Sequence, residues 1–399
     1  MTNRREFLKK SAIAGAAAAI TPSVMMGRGH KEYVTNDFSE SNAAVDTFTV
    51  NMRAAMNIPA IQPREITIPD TGGFKVLKGD FHIHTLFSDG NVMPKDRVTE
   101  AIQNGLDVIS ITDHIEYRPY FSKTGRWKLN DEQGGNFNLT YELAKPDAEK
   151  ENLLLIPGTE ITKSFMPPGH FNVLFTKDVN PIVAAVDDWR KMMQVAADQG
   201  CFLIWDHPGW QAPKSGGIER GAPLRFTKEH EEIYRNGWMH GIEIFNGYEH
   251  YPIVSDWCNE RDLALFANSD IHPTELQQYG IHNPARPITL VLAKERTVES
   301  VREALFAKRT IAWAANMLWG RGPWLPELFN ASVEIKTITP GTLELTNKSS
   351  LPITVSLGGV AVSLQQNKKQ QVYRAEGTKN LTVVNWMIGM NRPLEIPLT

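Results

Sequence analysis

From Phe74 to about Leu328 the chain repeats one unit: a short apolar run, a turn, then a stretch with helical spacing. The apolar runs are Phe74–Phe81, Asp107–Thr112, Leu153–Ile156, Phe171–Phe175, Phe202–Trp205, Gly241–Phe245, Ala264–Ala267 and Ile288–Leu292. Helices are expected over Pro94–Gln103, Ile182–Asp198, Lys228–Arg235, Pro252–Arg261 and Val298–Ala307. Strands that alternate with amphipathic helices predict an α/β barrel or a doubly wound sheet. In a barrel, the carboxyl ends of the strands meet at one mouth. Here His82, His84 and Asp89 follow the first run, Asp113 and His114 the second, and Glu160 the third. Asp206 and His207 follow the fifth, and Asp270 and His272 the seventh. A random scatter of 11 histidines would not collect so many at strand ends.

His82 and His84 are two positions apart on an extended segment, so alternation turns both imidazoles to one side. The turn Ser88-Asp89-Gly90 can fold Asp89 back over the end of that strand. Imidazole and carboxylate converging there outline a metal site, although a lone His-x-His elsewhere is an ordinary surface pair. Mixed nitrogen and oxygen donors suit Zn, Mn or Fe; an all-oxygen set would suit Mg or Ca. Asp113 and Asp206 each precede a histidine directly, and either orient imidazoles or cap their turns.

The chain has 399 residues, 42% hydrophobic and 22% charged, enough for a barrel and a smaller module. Its net charge is −3 with no basic run beyond the N-terminus, which disfavours a nucleic acid polymer as partner. Cys201 and Cys258 are the only cysteines and form no Cys-x-x-Cys motif. No Gly-rich phosphate loop and no Gly-x-Ser-x-Gly elbow occur, so nucleotide-loop and serine-hydrolase chemistry are set aside.

The motifs His-x-His-Thr…Ser-Asp-Gly, Thr112-Asp113-His114, Gly158-Thr-Glu160, Asp206-His207-Pro208 and Ser269-Asp270-Ile-His272 stand in the order of the polymerase and histidinol phosphatase (PHP) family. The chain resembles that family over roughly residues 75–320. The resemblance implies a distorted (β/α)7 TIM-like barrel with two or three divalent metal ions, hydrolysing phosphoesters with a hydroxide bridging two metals. Carried over residue by residue, one metal would be held by His82, His84, Glu160 and Asp270. Glu160 would bridge to a second, joined by His170 and His207. A third would take Asp89, His114 and His272. Arg118 or Lys123, in the loop after the second run, is a candidate for phosphate binding. Trp210, Trp238, Tyr248 and Phe165 are candidates for an apolar wall beside an alkyl, aryl or nucleoside group. Glu243 ends the sixth run and either supports the site or is structural.

Residues 1–27 carry Arg4-Arg5-Glu-Phe-Leu-Lys-Lys before a short apolar stretch, which resembles a twin-arginine export signal. That stretch is too brief to span a bilayer, so a periplasmic or secreted protein with no stable membrane span after cleavage is expected. Residues 28–73 are read as a linker with one short helix near Val45–Met56, and 74–328 as the barrel. From 329 to 399, apolar and polar residues alternate between Gly, Asn and Ser turns, predicting a small antiparallel β-sandwich. The whole arrangement is similar to exported phosphodiesterases of the Sb-PDE type. The expected partner is a small-molecule phosphoester. A phosphomonoesterase, or a PHP-fold binding module without catalysis, are the alternatives.

Overall fold

The computed structural model describes residues 63–121, 135–210, 224–280 and 283–398. The expected export signal, the helix near Val45–Met56 and Lys123 lie outside these residues. Pro63–Thr399 forms one compact unit.

The barrel strands are β1 (Lys75–Asp80), β2 (Val108–Ile111), β3 (Leu154–Ile161), β4 (Phe171–Leu174), β5 (Phe202–Trp205), β6 (Gly241–Asn246), the two-residue β7 (Glu249–His250) and β8 (Ala264–Asn268). Neighbours run β1-β2-β3-β4-β5-β6, with β8 on the far side of β6. The ring closes where the continuations of β8 and β1 meet. Ile83 and Ile271 form a parallel bridge, the Asp270 amide donates to the His82 carbonyl (2.9 Å), and the His84 amide donates to that of Ile271 (3.1 Å). Most of these pairings are parallel, but β4 runs antiparallel to both β3 and β5. This reversal brings the start of β4 to the mouth where the other strands end. β9 (Ile288–Ala293) pairs antiparallel with β1 at its opposite end.

Local chemistry accounts for the elements that differ from expectation. The helix expected over Ile182–Asp198 is two helices, Asn180–Val183 and Trp189–Asp198. The Asp188 carboxylate accepts from the amides of Arg190 and Lys191 and starts the second helix there. A further helix, Leu139–Lys150, was not expected; Pro146 within it and a weakly amphipathic pattern conceal it. The helices Pro94–Gln103, Lys228–Arg235, Ile253–Arg261 and Val298–Phe306 fall where the periodicity places them.

The strand-rich tail forms two layers. β12 (Val333–Thr339), β13 (Thr342–Asn347) and β16 (Lys369–Tyr373) make one antiparallel sheet. In the other, β14 (Ile353–Ser356) lies between β15 (Val362–Leu364) and β17 (Asn380–Gly389), which also pairs with β18 (Arg392–Pro397). β17 continues in parallel onto the hairpin of β10 (Thr310–Ala314) and β11 (Met317–Gly320), with Leu318 opposite Trp386. The helix Trp324–Ser332 crosses the position where the barrel was expected to end. Leu345, Val355, Val383 and Trp386 of the tail share a buried cluster with Ile311, Leu325 and Phe329.

Candidate metal centre

Three features of the local chain set the ligands at the mouth. His82 and His84 continue β1 past Asp80, facing inward at full burial. His114, just beyond β2, forms a parallel bridge with Glu160 of β3, so the two sit side by side. His207 (φ 27°) and Asp270 (φ 49°) adopt left-handed backbone just after β5 and β8, conformations an L-residue keeps only where the surroundings enforce them. His170 stands immediately before β4 and reaches the same mouth because that strand is reversed.

The innermost group is His82, His84, Glu160 and Asp270. His82 Nε2 lies 3.1 Å from His84 Nε2, 3.2 Å from Asp270 Oδ1 and 3.3 Å from Glu160 Oε2. His84 Nε2 lies 3.0 Å from Asp270 Oδ1 and 3.2 Å from Glu160 Oε2. His82 Nδ1 donates to Glu243 Oε1 at 2.9 Å, and His84 Nδ1 faces the Ser88 hydroxyl at 3.2 Å, which itself donates to Asp113. Both Nε2 atoms therefore point lone pairs at each other and at two carboxylate oxygens. Glu160 Oε2 and Asp270 Oδ1 are buried without a hydrogen bond, although His114 Nδ1 stands 3.1 Å from Glu160 Oε2. Four lone pairs at this spacing repel unless a cation lies among them, and a metal about 2.1 Å from each of four ligands sets them roughly 3.4 Å apart. The residues fit a metal ion.

The field agrees. Burial alone pushes the His84 imidazolium down, but Asp270 and Glu160 outweigh it and raise the pKa to about 9. His82 is likewise raised well above its usual value, burial being outweighed by Asp270, Glu243, Asp206 and Glu160. Burial also disfavours charge on Glu160, yet His114, His170 and His82 hold its carboxyl well below the usual range.

Glu160 turns its other oxygen toward a second pair. Oε1 is 2.5 Å from His170 Nδ1 and 3.7 Å from His207 Nε2, and His170 Nε2 and His207 Nδ1 are buried without partners. Burial brings the His170 pKa down to about 4, against the pull of the Glu160 carboxylate. Outward of these lie Asp89, His114 and His272. Asp89 Oδ1 is 3.2 Å from His272 Nε2, and Oδ2 is 3.6 Å from His114 Nε2. Gly90 lets this loop close: a Cβ there would stand 2.6 Å from the His84 carbonyl carbon.

Two of the candidates named from sequence, Asp113 and Arg118, make the following contacts. The Asp113 carboxylate accepts from the Thr85 amide and hydroxyl, the Ser88 hydroxyl and the Thr140 hydroxyl; it ties the turn after β1 and holds no imidazole. Arg118 donates from Nε to the Phe87 carbonyl (2.8 Å) and packs 4.2 Å from the Phe137 ring centroid, contacts that lie outside the donor cluster. Asp206 accepts from Asn172 at 3.0 Å, with Oδ1 3.8 Å from His82 Nδ1. Burial raises its pKa well above normal and, with His82 opposing, Glu243 and Glu160 add to the rise.

Supports that the motifs do not mark are as informative. Glu243, fully buried, accepts from His82 Nδ1, the His207 amide (2.8 Å), Asn246 and Asn268 (2.9 Å each). Buried Arg97 donates to the carbonyls of His84 (2.9 Å), Ile271 (3.1 Å) and His272 (2.9 Å), clamping both ligand-bearing strand ends. Asp80 accepts from the Ser269 amide and hydroxyl and pairs with Arg286 at 2.8 Å, which in turn meets Glu275 at 2.6 Å. Lys163, absent from the expected set, brings Nζ to His114 and Asp89. The signal available was a lysine three residues past a strand-end glutamate.

Closed barrel, buried donor cluster and orphaned lone pairs together define a site built for divalent metal ions. A PHP-domain family model matches residues 80–270. A two-domain protein from Bacteroides vulgatus, containing a predicted PHP-like metal-dependent phosphoesterase, is 34% identical over 85% of this chain and 99% of its own, with a TM-score of 0.73. An uncharacterized protein of Methanocaldococcus jannaschii is 24% identical over 210 residues, covering 50% of this chain and 83% of that protein. The chain belongs to the PHP family of metal-dependent phosphoesterases.

Proposed function

We propose that this phosphoesterase cleaves diesters bearing alkyl, aryl or nucleoside groups, that it uses Mn, Zn or Fe, and that it acts outside the cytoplasm. The hydrolytic part rests on one observation: buried donors from the ends of β1, β3 and β8 face one another at 3.0–3.3 Å with their lone pairs unmet. Bound divalent ions would supply Lewis-acid charge and lower the pKa of water enough to make it a nucleophile near neutral pH. The chain does the rest. Glu160 offers one carboxylate oxygen to each neighbouring group, so it can serve both. Glu243 and Ser88 hold His82 and His84 with Nε2 facing inward.

The diester preference is drawn from the rim. The Trp210 ring lies 5.2 Å from that of His207, and the 46% exposed Tyr117 stands 5.0 Å from Lys163 Nζ. Arg97 and Arg286 are committed to buried partners, and Arg118 packs on Phe137. A monoester dianion is ordinarily gripped by arginine forks. Among the described residues the rim offers aromatic rings with one lysine, which suits a monoanionic diester with apolar substituents. Phe165 and Trp238 pack against the core, leaving Trp210 as the nearer wall candidate.

Turnover of bis(p-nitrophenyl) phosphate and p-nitrophenyl phosphate by Mn-loaded protein tests this, with the diester expected to be faster. A faster monoester overturns the diester reading. No turnover of either by protein carrying its metals overturns the hydrolase reading. Export is tested by Arg4→Lys with Arg5→Lys, which should retain the protein in the cytoplasm of a bacterial host; periplasmic recovery of that variant would refute it.

A further inference from the structure

The outer donor group already contains a cation of the chain's own. Lys163 places Nζ 2.8 Å from His114 Nε2 and 3.4 Å from Asp89 Oδ2. An ammonium has only donors, so the His114 nitrogen must accept with its single in-plane lone pair. A metal ion coordinated there would need that same lone pair. Lysine and metal are therefore exclusive at His114 Nε2. Asp89 keeps one buried oxygen, Oδ1, unpartnered beside His272 Nε2, so the group retains capacity for further positive charge.

The placement is built into the fold. Thr162 takes a left-handed conformation (φ 69°) between Glu160 and Lys163, and its hydroxyl donates to the Gly169 carbonyl at 2.5 Å, turning the chain just past β3. The Tyr117 ring lies 5.0 Å from Nζ on another side. The lysine side chain is 30% exposed, so it has a way out to solvent. Among the described residues, no lysine or arginine contacts the donors of the His82–His84–Glu160–Asp270 group.

We propose that the Lys163 ammonium fills the third cation position of this centre, and that a third divalent ion enters only by displacing it. The inference rests on reading the barrel mouth as a metal centre. It makes the protein a two-metal enzyme with a built-in monovalent cation. One charge in place of two at that position also lowers the total positive charge of the centre, which matches a substrate carrying a single negative charge.

Metal content after dialysis, measured by elemental analysis beside a Mn titration of the metal-depleted full chain, tests it. The wild type should retain two equivalents and take a third at least tenfold more weakly. Lys163→Met, which keeps an unbranched side chain one atom shorter and without charge, should tighten the third equivalent at least tenfold and leave the first two unchanged; Lys163→Ala should do the same. Three equally tight equivalents in the wild type overturn the proposal, as does an unchanged third affinity in a folded variant. Fewer than two tight equivalents in the wild type would instead overturn the metal centre itself, so the two failures are distinguishable.

Discussion

Glu243→Gln replaces one carboxylate oxygen by an NH2 group at a residue that touches no substrate. Every partner of this carboxylate is a donor: His82 Nδ1 and Asn268 on Oε1, the His207 amide and Asn246 on Oε2. An amide nitrogen cannot accept from either pair. If it replaces Oε2, it faces the His207 backbone N–H, which has no other tautomer to adopt. If it replaces Oε1, it faces His82, whose ring must shift its proton to Nε2 and so cap the lone pair aimed at the metal. Asn268 cannot rotate freely to compensate, because its own oxygen accepts from the Phe81 amide at 3.0 Å. Each buried donor left facing a donor costs about 1–3 kcal/mol. Disturbing a partner that orients a metal-binding imidazole typically lowers affinity about 10–100-fold, or ~1.4–2.7 kcal/mol. We therefore expect both a weaker metal-free fold, read by urea unfolding, and a metal affinity at least tenfold lower, read by chelator competition. A variant unchanged in both measurements would refute the reasoning, since the structure offers no arrangement that satisfies all four donors.

Further outcomes follow from neighbouring contacts. Arg286→Met strands the Asp80 and Glu275 carboxylates in the interior and should cost about 3–5 kcal/mol of stability; a loss under ~1 kcal/mol in urea unfolding would contradict the pairing. Asp113→Asn should destabilise the turn carrying Thr85 and Ser88 by about 1–3 kcal/mol and still leave tight metal binding at His82 and His84; loss of all metal would return Asp113 to a direct role. Glu160→Ala should abolish turnover while the protein remains folded by circular dichroism, and normal rates would remove the mechanism. His230 is buried on Trp205 and donates from Nε2 to the Pro168 carbonyl, and burial lowers its pKa to about 4. The unfolded chain therefore binds a proton that the native state excludes between about pH 6.5 and pH 4, so stability falls as the pH drops through that window, by on the order of 3 kcal/mol from this residue. His230→Phe should flatten the stability profile there by one residue's share, and an identical slope would show the ring is not kept neutral.

Much of the centre was legible in order along the chain. His82 and His84 share a side because strand alternation leaves no choice, and most strands and several helices fall where hydrophobic period puts them. What was hidden depends on the direction of a single strand. β4 looks like any other apolar run, and nothing in Phe171–Leu174 states that it runs against its neighbours. That reversal is what makes His170, which precedes a strand, a neighbour of residues that follow theirs. The helix Leu139–Lys150 was concealed by Pro146, and the joint between β11 and β17 by a pattern that reads as a separate module.

Donor identity, and hence the class of chemistry, was set by the sequence alone: imidazole and carboxylate recur at strand ends whatever the packing. Which side chain each donor would face was settled only by tertiary contact. Asp113 and Asp206 occupy equivalent places before a histidine, yet one binds hydroxyls of a turn and the other lies buried beside His82. Glu243, Arg97 and Lys163 carry no motif, because a hydrogen bond across the barrel joins residues far apart along the chain. Sequence spacing reports direction along one element; the distance between two elements exists only once the barrel has closed.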